Sequence, residues 1–216
     1  MAKAKSSEKT KRRKSSGLWD TIRTVAYAVI AAMVVRSVAL EPFNIPSGSM
    51  IPTLMVGDYL FVSKYAYGYS KYSLPWNIDL FSGRIFASDP ERGDVAVFKL
   101  PRDNETDYIK RIVGLPGDRI QVLDGVLHIN DAPVEKLRAE NFVFTDLYGR
   151  KRTIAQFKEI LPNGVHHHTL DSNPNGNLDN TKIYTVPEGH FFAMGDNRDN
   201  SLDSRIDNAY SGVGFI

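Results

Sequence analysis

Hydrophobic and polar positions divide this chain into three stretches with different rhythms. Residues 1–16 are polar and basic, residues 18–40 carry an apolar run centred on 25–35, and from residue 42 onward short apolar runs alternate with prolines and glycines. The central run of eleven residues is short for a bilayer core of ~30 Å, which needs about 20 helical residues. The wider stretch of 23 residues reaches roughly 35 Å as helix. Arg23 and Arg36 then fall near its ends, where long basic side chains can snorkel to the headgroups. The pattern predicts one transmembrane anchor over residues 17–40, preceded by a basic tail over 1–16. Two other readings fit the same residues. A basic segment, an apolar segment and small residues at Ser37 and Ala39 also describe a cleavable signal peptide, although Arg36 is a poor neighbour for cleavage. An amphipathic surface helix is the third, against which residues 28–35 are apolar all round. Each reading places the rest of the chain at a membrane or beyond it.

Past residue 42 the segments 59–62, 94–100, 108–113, 119–123, 126–129 and 190–194 read as strands. Asp124-Gly125, between two of them, reads as a hairpin turn. No long 3.6-residue period follows the anchor, so residues 41–216 are predicted to be mainly β, with antiparallel strands in a coiled sheet or partial barrel. Residues from about 130 to 185 are less regular and more polar, and contain the triplet His166-His167-His168. They read as an insertion packed on the sheet, with exposed loops. The last residues, Val213-Gly214-Phe215-Ile216, keep a half-apolar strand pattern, from which we expect a chain cut short at its C-terminus.

Composition and charge narrow the function classes. With 216 residues, 42% hydrophobic and 24% charged, the chain is that of an ordinary globular protein. Its net charge of +2 is uneven, because residues 1–16 hold seven basic side chains against the single acid Glu8. The remainder is slightly acidic, which argues against a nucleic-acid-binding body. The positive-inside bias puts the tail in the cytoplasm and everything after Leu40 on the far side of the membrane. The absence of cysteine excludes disulfides, thiolate metal sites and cysteine nucleophiles.

Three segments carry candidate chemistry. In Pro46-Ser47-Gly48-Ser49-Met50-Ile51-Pro52-Thr53-Leu54, two prolines stiffen the backbone around a permissive glycine. Such a segment is either a plain turn between strands or a site that exposes a hydroxyl and turns backbone N–H groups toward the same space. A serine nucleophile needs a base, and none of His128, His166, His167, His168 or His190 completes a convincing Ser-His-Asp set. Lysine can serve if burial lowers its pKa, which costs about 4–5 kcal/mol for a descent to near 7. Lys110 sits in Tyr108-Ile109-Lys110-Arg111-Ile112-Val113, where it shares a strand face with Tyr108 and Ile112. It reads as a half-buried base or as a surface strand lysine. The third segment runs Gly195-Asp196-Asn197-Arg198-Asp199-Asn200-Ser201-Leu202-Asp203-Ser204-Arg205, short polar side chains suited to a fixed hydrogen-bonded loop. Its spacing is superficially that of a calcium loop, but Arg198 stands where a ligand belongs and Ser201 replaces the turn glycine, so no metal is expected. A rigid loop supplying Ser201 to steady a neutral lysine, with Asp203 and Arg205 paired behind it, fits an enzyme.

With these segments and Arg92-Gly93-Asp94-Val95-Ala96-Val97-Phe98 in order between Arg36 and Gly214, the chain strongly resembles bacterial type I signal peptidases. The resemblance implies a membrane-anchored serine endopeptidase with a Ser/Lys dyad and no cofactor, cutting signal peptides from exported preproteins at Ala-x-Ala sites. It implies Ser49 as nucleophile and Lys110 as general base. Ser47 would join the Ser49 backbone N–H in holding the oxyanion, and Ser201 would orient the lysine by a hydrogen bond. Pockets for small side chains would map onto Phe43, Ile45, Met50, Leu54, Tyr108 and Ile109, apolar walls for a substrate bound as an added strand. The implied fold is mainly β, of coiled antiparallel sheets or a partial barrel, with a smaller inserted α+β cap and one preceding transmembrane helix. The implied setting is the inner (plasma) membrane, with the catalytic domain on the periplasmic or extracytoplasmic side. Some relatives have two transmembrane segments, and relatives continue past the position of Gly214 with a further strand. Ser49 lies nine residues after Leu40, at most ~30 Å of extended chain, which keeps the site near the bilayer surface.

Overall fold

The computed structural model describes residues 14–70, 73, 83–145, 149–210 and 212–216, so most of the predicted basic tail (residues 1–13) lies outside the described residues. Helix α1 spans Lys14–Val38, 25 residues with no proline, and ends with Arg36 in its last turn, where a cation complements the helix dipole. Its polar residues are absorbed locally: the Thr21 and Thr24 hydroxyls donate to the carbonyls of Gly17 and Asp20, both at 2.8 Å. Within it Gly17–Arg36, 20 residues, is long and apolar enough to cross a membrane, and none of the described residues buries it.

By its contacts the chain forms two compact units, Met1–Pro42 with Phe61–Ser88, and Phe43–Leu60 with Asp89–Ile216. The first holds α1, a Lys64–Glu41 ion pair of 2.9 Å and an antiparallel bridge between Tyr69 and Ile85. Strands β1 (Leu40–Asn44) and β2 (Tyr59–Ser63) pair as a ribbon. The second unit continues with β3 (Val95–Lys99), β4 (Asp107–Gly114), β5 (Arg119–Leu123), β6 (Val126–Ile129) and β7 (Ala132–Pro133). Then come β8 (Glu135–Arg138), β9 (Phe142–Thr145), β10 (Lys151–Ile160), β11 (His166–Asp171), β12 (Tyr184–Thr185) and β13 (Phe192–Met194). They form antiparallel sheets in the orders β13-β4-β3, β12-β5-β6-β7 and β11-β10-β8, with β9 also on β10. The body is mainly β, and among the described residues no barrel closes.

The predicted β5–β6 hairpin matches end to end. Asp124 (φ 46°) and Gly125 (φ 70°) both take the left-handed region that a two-residue type I′ turn demands, which fixes Leu123 opposite Val126. Inward positions of these strands join Val113, Val134, Leu161, Val186, Phe192 and Met194 in one buried cluster. Phe192 lies between the rings of Tyr184 and Phe215, at 5.1 and 6.1 Å. Each large aliphatic or aromatic side chain buried there contributes about 1.5–3 kcal/mol.

The insertion departs from expectation. Among its described residues it contains strands and no helix, so the α part of the expected α+β cap is absent there. Nor is the histidine triplet in an exposed loop. It opens β11, paired with β10 so that Glu159 faces His167 across the register. His166 and His168 point to solvent while His167 and Thr169 are buried. The two-residue period is present but written in polar residues: Glu159, His167 and Thr169 take the inward positions, and the Thr169 hydroxyl donates to Glu159 at 3.5 Å.

Candidate active site

The Ser49 segment is shaped by its glycine and by a neighbour far along the chain. Ser47 is extended (φ −127°, ψ 152°) and leads into a single 3-10 turn, Gly48–Met50, after which Ile51 is extended again. Asn197 holds this turn from outside. Its side-chain amide donates to the Gly48 carbonyl at 2.9 Å and its backbone N–H to the Ser49 carbonyl at 3.0 Å. Ser49 is thereby gripped on its carbonyl side while its hydroxyl points elsewhere.

That hydroxyl meets Lys110. Strand β4 is buried on both faces from Lys110 to Gly114, and across the ladder Lys110 faces the small side chain of Ala96. Lys110 is 3% exposed and Ser49 7%. Lys110 Nζ lies 2.8 Å from Ser49 Oγ and donates to the Ile109 carbonyl at 2.9 Å. The Tyr108 ring centroid is 5.2 Å from the same nitrogen. Burial lowers the Lys110 pKa from 10.5 to about 8, although Asp203 and Asp196 pull it upward. Ser47 is exposed, and its Oγ lies 3.4 Å from Ser49 Oγ.

The loop over residues 195–205 backs this pair. Asp203 and Arg205 are buried and joined through both carboxylate oxygens at 2.9 Å, and Asp203 also accepts the Gly195 N–H at 3.0 Å. Burial alone would raise the Asp203 pKa, but the Arg205 guanidinium outweighs it and holds the carboxyl below its usual range. Ser201 is buried as well. No donor or acceptor meets its Oγ in hydrogen-bonding geometry. The expected bond from Ser201 to the lysine is not among the contacts of Lys110, whose Nζ meets Ser49 and Ile109.

Gly195 is the tightest point of this loop. A Cβ there would fall 2.2 Å from Ser201 Oγ and 2.6 Å from the Ser49 carbonyl oxygen. Gly195→Ala is expected to destabilise the protein by about 1–3 kcal/mol in urea unfolding, as overpacked sites do. An unchanged midpoint would mean that the loop yields there at no cost.

The predicted apolar walls fall at two depths. Phe43, Leu54, Tyr108 and Ile109 are half-buried, whereas Ile45 (2% exposed) and Met50 (0%) are closed off from solvent. Apolar character alone does not distinguish a wall from the floor behind it.

The sequence reading gave several site residues no structural role. Arg111, on the opposite face of β4 from Lys110, grips Asp196 through two bonds of 2.9 and 2.7 Å, and Thr53 also bonds to Asp196. Arg198 grips Glu159 of β10 at 2.7 and 2.6 Å. Between the two pairs lies His167, whose pKa burial pushes down to about 4. Asp196, which opens the supposed calcium spacing, and Asp203 are thus each taken by a guanidinium.

Residues 18–216 match the family model for signal peptidases, peptidase S26. The chain is 44% identical over 202 residues to the signal peptidase I of Rickettsia canadensis, which covers 90% of this chain and 73% of that protein. To the signal peptidase I of Rickettsia akari it is 46% identical over 199 residues, covering 88% and 71%. Among solved structures, a signal peptidase I from Enterococcus faecalis aligns over 60% of this chain and 90% of that one, with 26% identity and a TM-score of 0.33.

Proposed function

Because the chain belongs to the signal peptidase family, peptidase S26, whose members are serine endopeptidases that remove signal peptides, we propose that Ser49 and Lys110 carry out that cleavage as a dyad. The observation that carries the reading is the 2.8 Å contact between Lys110 Nζ and Ser49 Oγ in a site closed to solvent. Neutral Lys110 takes the hydroxyl proton as Ser49 Oγ attacks the scissile carbonyl. The Ser49 N–H and the Ser47 hydroxyl hold the oxyanion, as preorganised donors do. The tetrahedral intermediate collapses to an acyl-enzyme as the Lys110 ammonium gives its proton to the leaving amine. Water, deprotonated by Lys110, then attacks the acyl carbon; as the bond to Ser49 Oγ breaks, the Lys110 ammonium returns that proton to Oγ and the signal peptide leaves as its carboxylic acid. Asp203, locked to Arg205, and the Ser201 hydroxyl beside it complete the polar wall behind the lysine.

Specificity follows from the same geometry. The substrate lies as an added strand against Phe43, Leu54, Tyr108 and Ile109, with Ile45 and Met50 forming the floor, and small side chains fit the shallow recesses. Such walls discriminate size only modestly, so position matters too. Helix α1 anchors the enzyme in the inner (plasma) membrane with its N-terminus in the cytoplasm, and Ser49, nine residues after Leu40, meets the end of a signal peptide's apolar segment on the extracytoplasmic side.

The test is a preprotein whose signal ends in Ala-x-Ala, cleaved by the detergent-solubilised chain, with the new N-terminus sequenced across a pH series. Only neutral Lys110 is a base. With a pKa of about 8, roughly a tenth of it is neutral at pH 7 and roughly half at pH 8. We expect cleavage after the second alanine and a kcat/KM that climbs with pH and levels off above about 8. A cut elsewhere rejects the specificity, and a flat profile between pH 5 and 9 rejects the lysine base.

A further inference from the structure

The inserted strands reach into the catalytic loop. Glu159, on β10, is 0% exposed, and both of its carboxylate oxygens accept from Arg198. Its other partner is the Thr169 hydroxyl at 3.5 Å, on β11. Arg198 is a hub of the loop. Its Nε donates to the Gly195 carbonyl at 3.3 Å, its N–H donates to the Leu170 carbonyl at 3.0 Å, and its own carbonyl accepts Arg205 Nη2 at 2.6 Å. Leu170 N–H in turn donates to the Asp196 carbonyl at 2.8 Å. His167 stands beside this junction, with Nε2 at 3.6 Å from Glu159 and 3.8 Å from Asp196.

A buried carboxylate is costly unless paired, and an insertion serving only its own packing would fill this place with an apolar side chain. Here the charge is spent on the loop that presses against Ser49. Gly195, whose carbonyl Arg198 holds, has Ser201 and the Ser49 carbonyl so close that no side chain fits. A shift of Arg198 therefore passes through Gly195 to the nucleophile.

We propose that Glu159 is a positioning residue for the reaction: from the inserted strand β10 it clamps Arg198, and so fixes the Gly195 backbone against Ser49. This rests on the dyad reading above. Glu159 touches neither substrate nor the reacting atoms, and its effect is on the alignment of Ser49 with Lys110.

The test measures kcat, KM and melting temperature of the full chain on an Ala-x-Ala preprotein, for wild type, Glu159→Gln, Arg198→Met and the double variant. Because small misplacements of reacting groups cost rate rather than affinity, Glu159→Gln should lower kcat by about tenfold or more with KM within about twofold, well below its melting temperature. In the Arg198→Met background the same change should add no more than about twofold, since its partner is gone. The double variant also covers the case in which Glu159→Gln fails to fold. It buries no unpaired charge, so it should melt no lower than wild type and still be slow. A double variant as fast as wild type overturns the proposal, as does a folded Glu159→Gln with wild-type kcat or a loss that adds in full to that of Arg198→Met. Ser49→Ala in the same assay separates the two readings. If it still cleaves, the dyad fails and the positioning role with it; if it is dead while Glu159→Gln runs at full rate, only the clamp is rejected.

Discussion

Lys110→Met is expected to abolish cleavage and, at pH 7, to raise the urea midpoint of the folded chain. The loss of activity is that of a dyad without its base, about 10⁴-fold or more in kcat, with Ser49→Ala equally inactive because members of such a unit do not act additively. The gain in stability follows from the lysine's burial. Its pKa falls from 10.5 to about 8 on folding, which at ~1.4 kcal/mol per unit is a penalty of about 3 kcal/mol on the protonated form. The folded value is the lower one, so between pH 8 and 10.5 the unfolded chain binds more protons and stability rises with pH across that window. Below about pH 8 the whole penalty is present, and methionine, apolar and of similar length, removes it. The advantage of Lys110→Met should shrink as pH climbs through the window. A variant that is less stable at pH 7, or whose advantage does not change with pH, would refute this account of the lysine, and cleavage within a hundredfold of wild type would refute its role.

The second large effect lies behind the dyad. Asp203→Asn leaves the Arg205 guanidinium buried without its carboxylate, and breaking such a pair from one side costs about 3–5 kcal/mol. Chemical denaturation at pH 7 reads this directly. The same substitution has an electrostatic signature that a packing defect lacks. Asp203 raises the Lys110 pKa, so without it the acid limb of kcat/KM should move to lower pH in the fraction that remains folded. An unchanged midpoint would show that Arg205 finds another partner, and an unmoved limb that Asp203 does not act on the lysine.

What could be read from the sequence follows the chemistry of burial. Strands β5 and β6 were legible to the residue because their inward positions are Ile120, Val122, Leu127 and Ile129, and Asp124-Gly125 turns between them. The apolar helix was legible for the same reason. Strands β10 and β11 were not, since Glu159, His167 and Thr169 occupy their inward positions and a hydrophobic pattern sees none of them. Within the site, the segments bearing Ser49, Lys110, Asp203 and Arg205 stood out as motifs. Asn197, Glu159 and the Arg111–Asp196 pair are defined by contacts 39 to 149 positions apart along the chain, which no local pattern records. The Ser201 hydroxyl is buried on the loop where the sequence put it, but no hydrogen-bond partner meets it there.

The parallel bridge between Leu170 of β11 and Asn197 of the loop has a practical bearing on any attempt to shorten this protein. Residues 130–185 look removable, a hairpin decoration that a minimal enzyme could lose at a single splice. Excision would cut a backbone seam that runs through Asn197, the same residue whose amides hold Gly48 and Ser49. It would also leave Arg198 charged in an emptied interior. A trimmed version would need a neutral replacement at 198 and a new strand edge for 197 before the Ser49 turn could be held still.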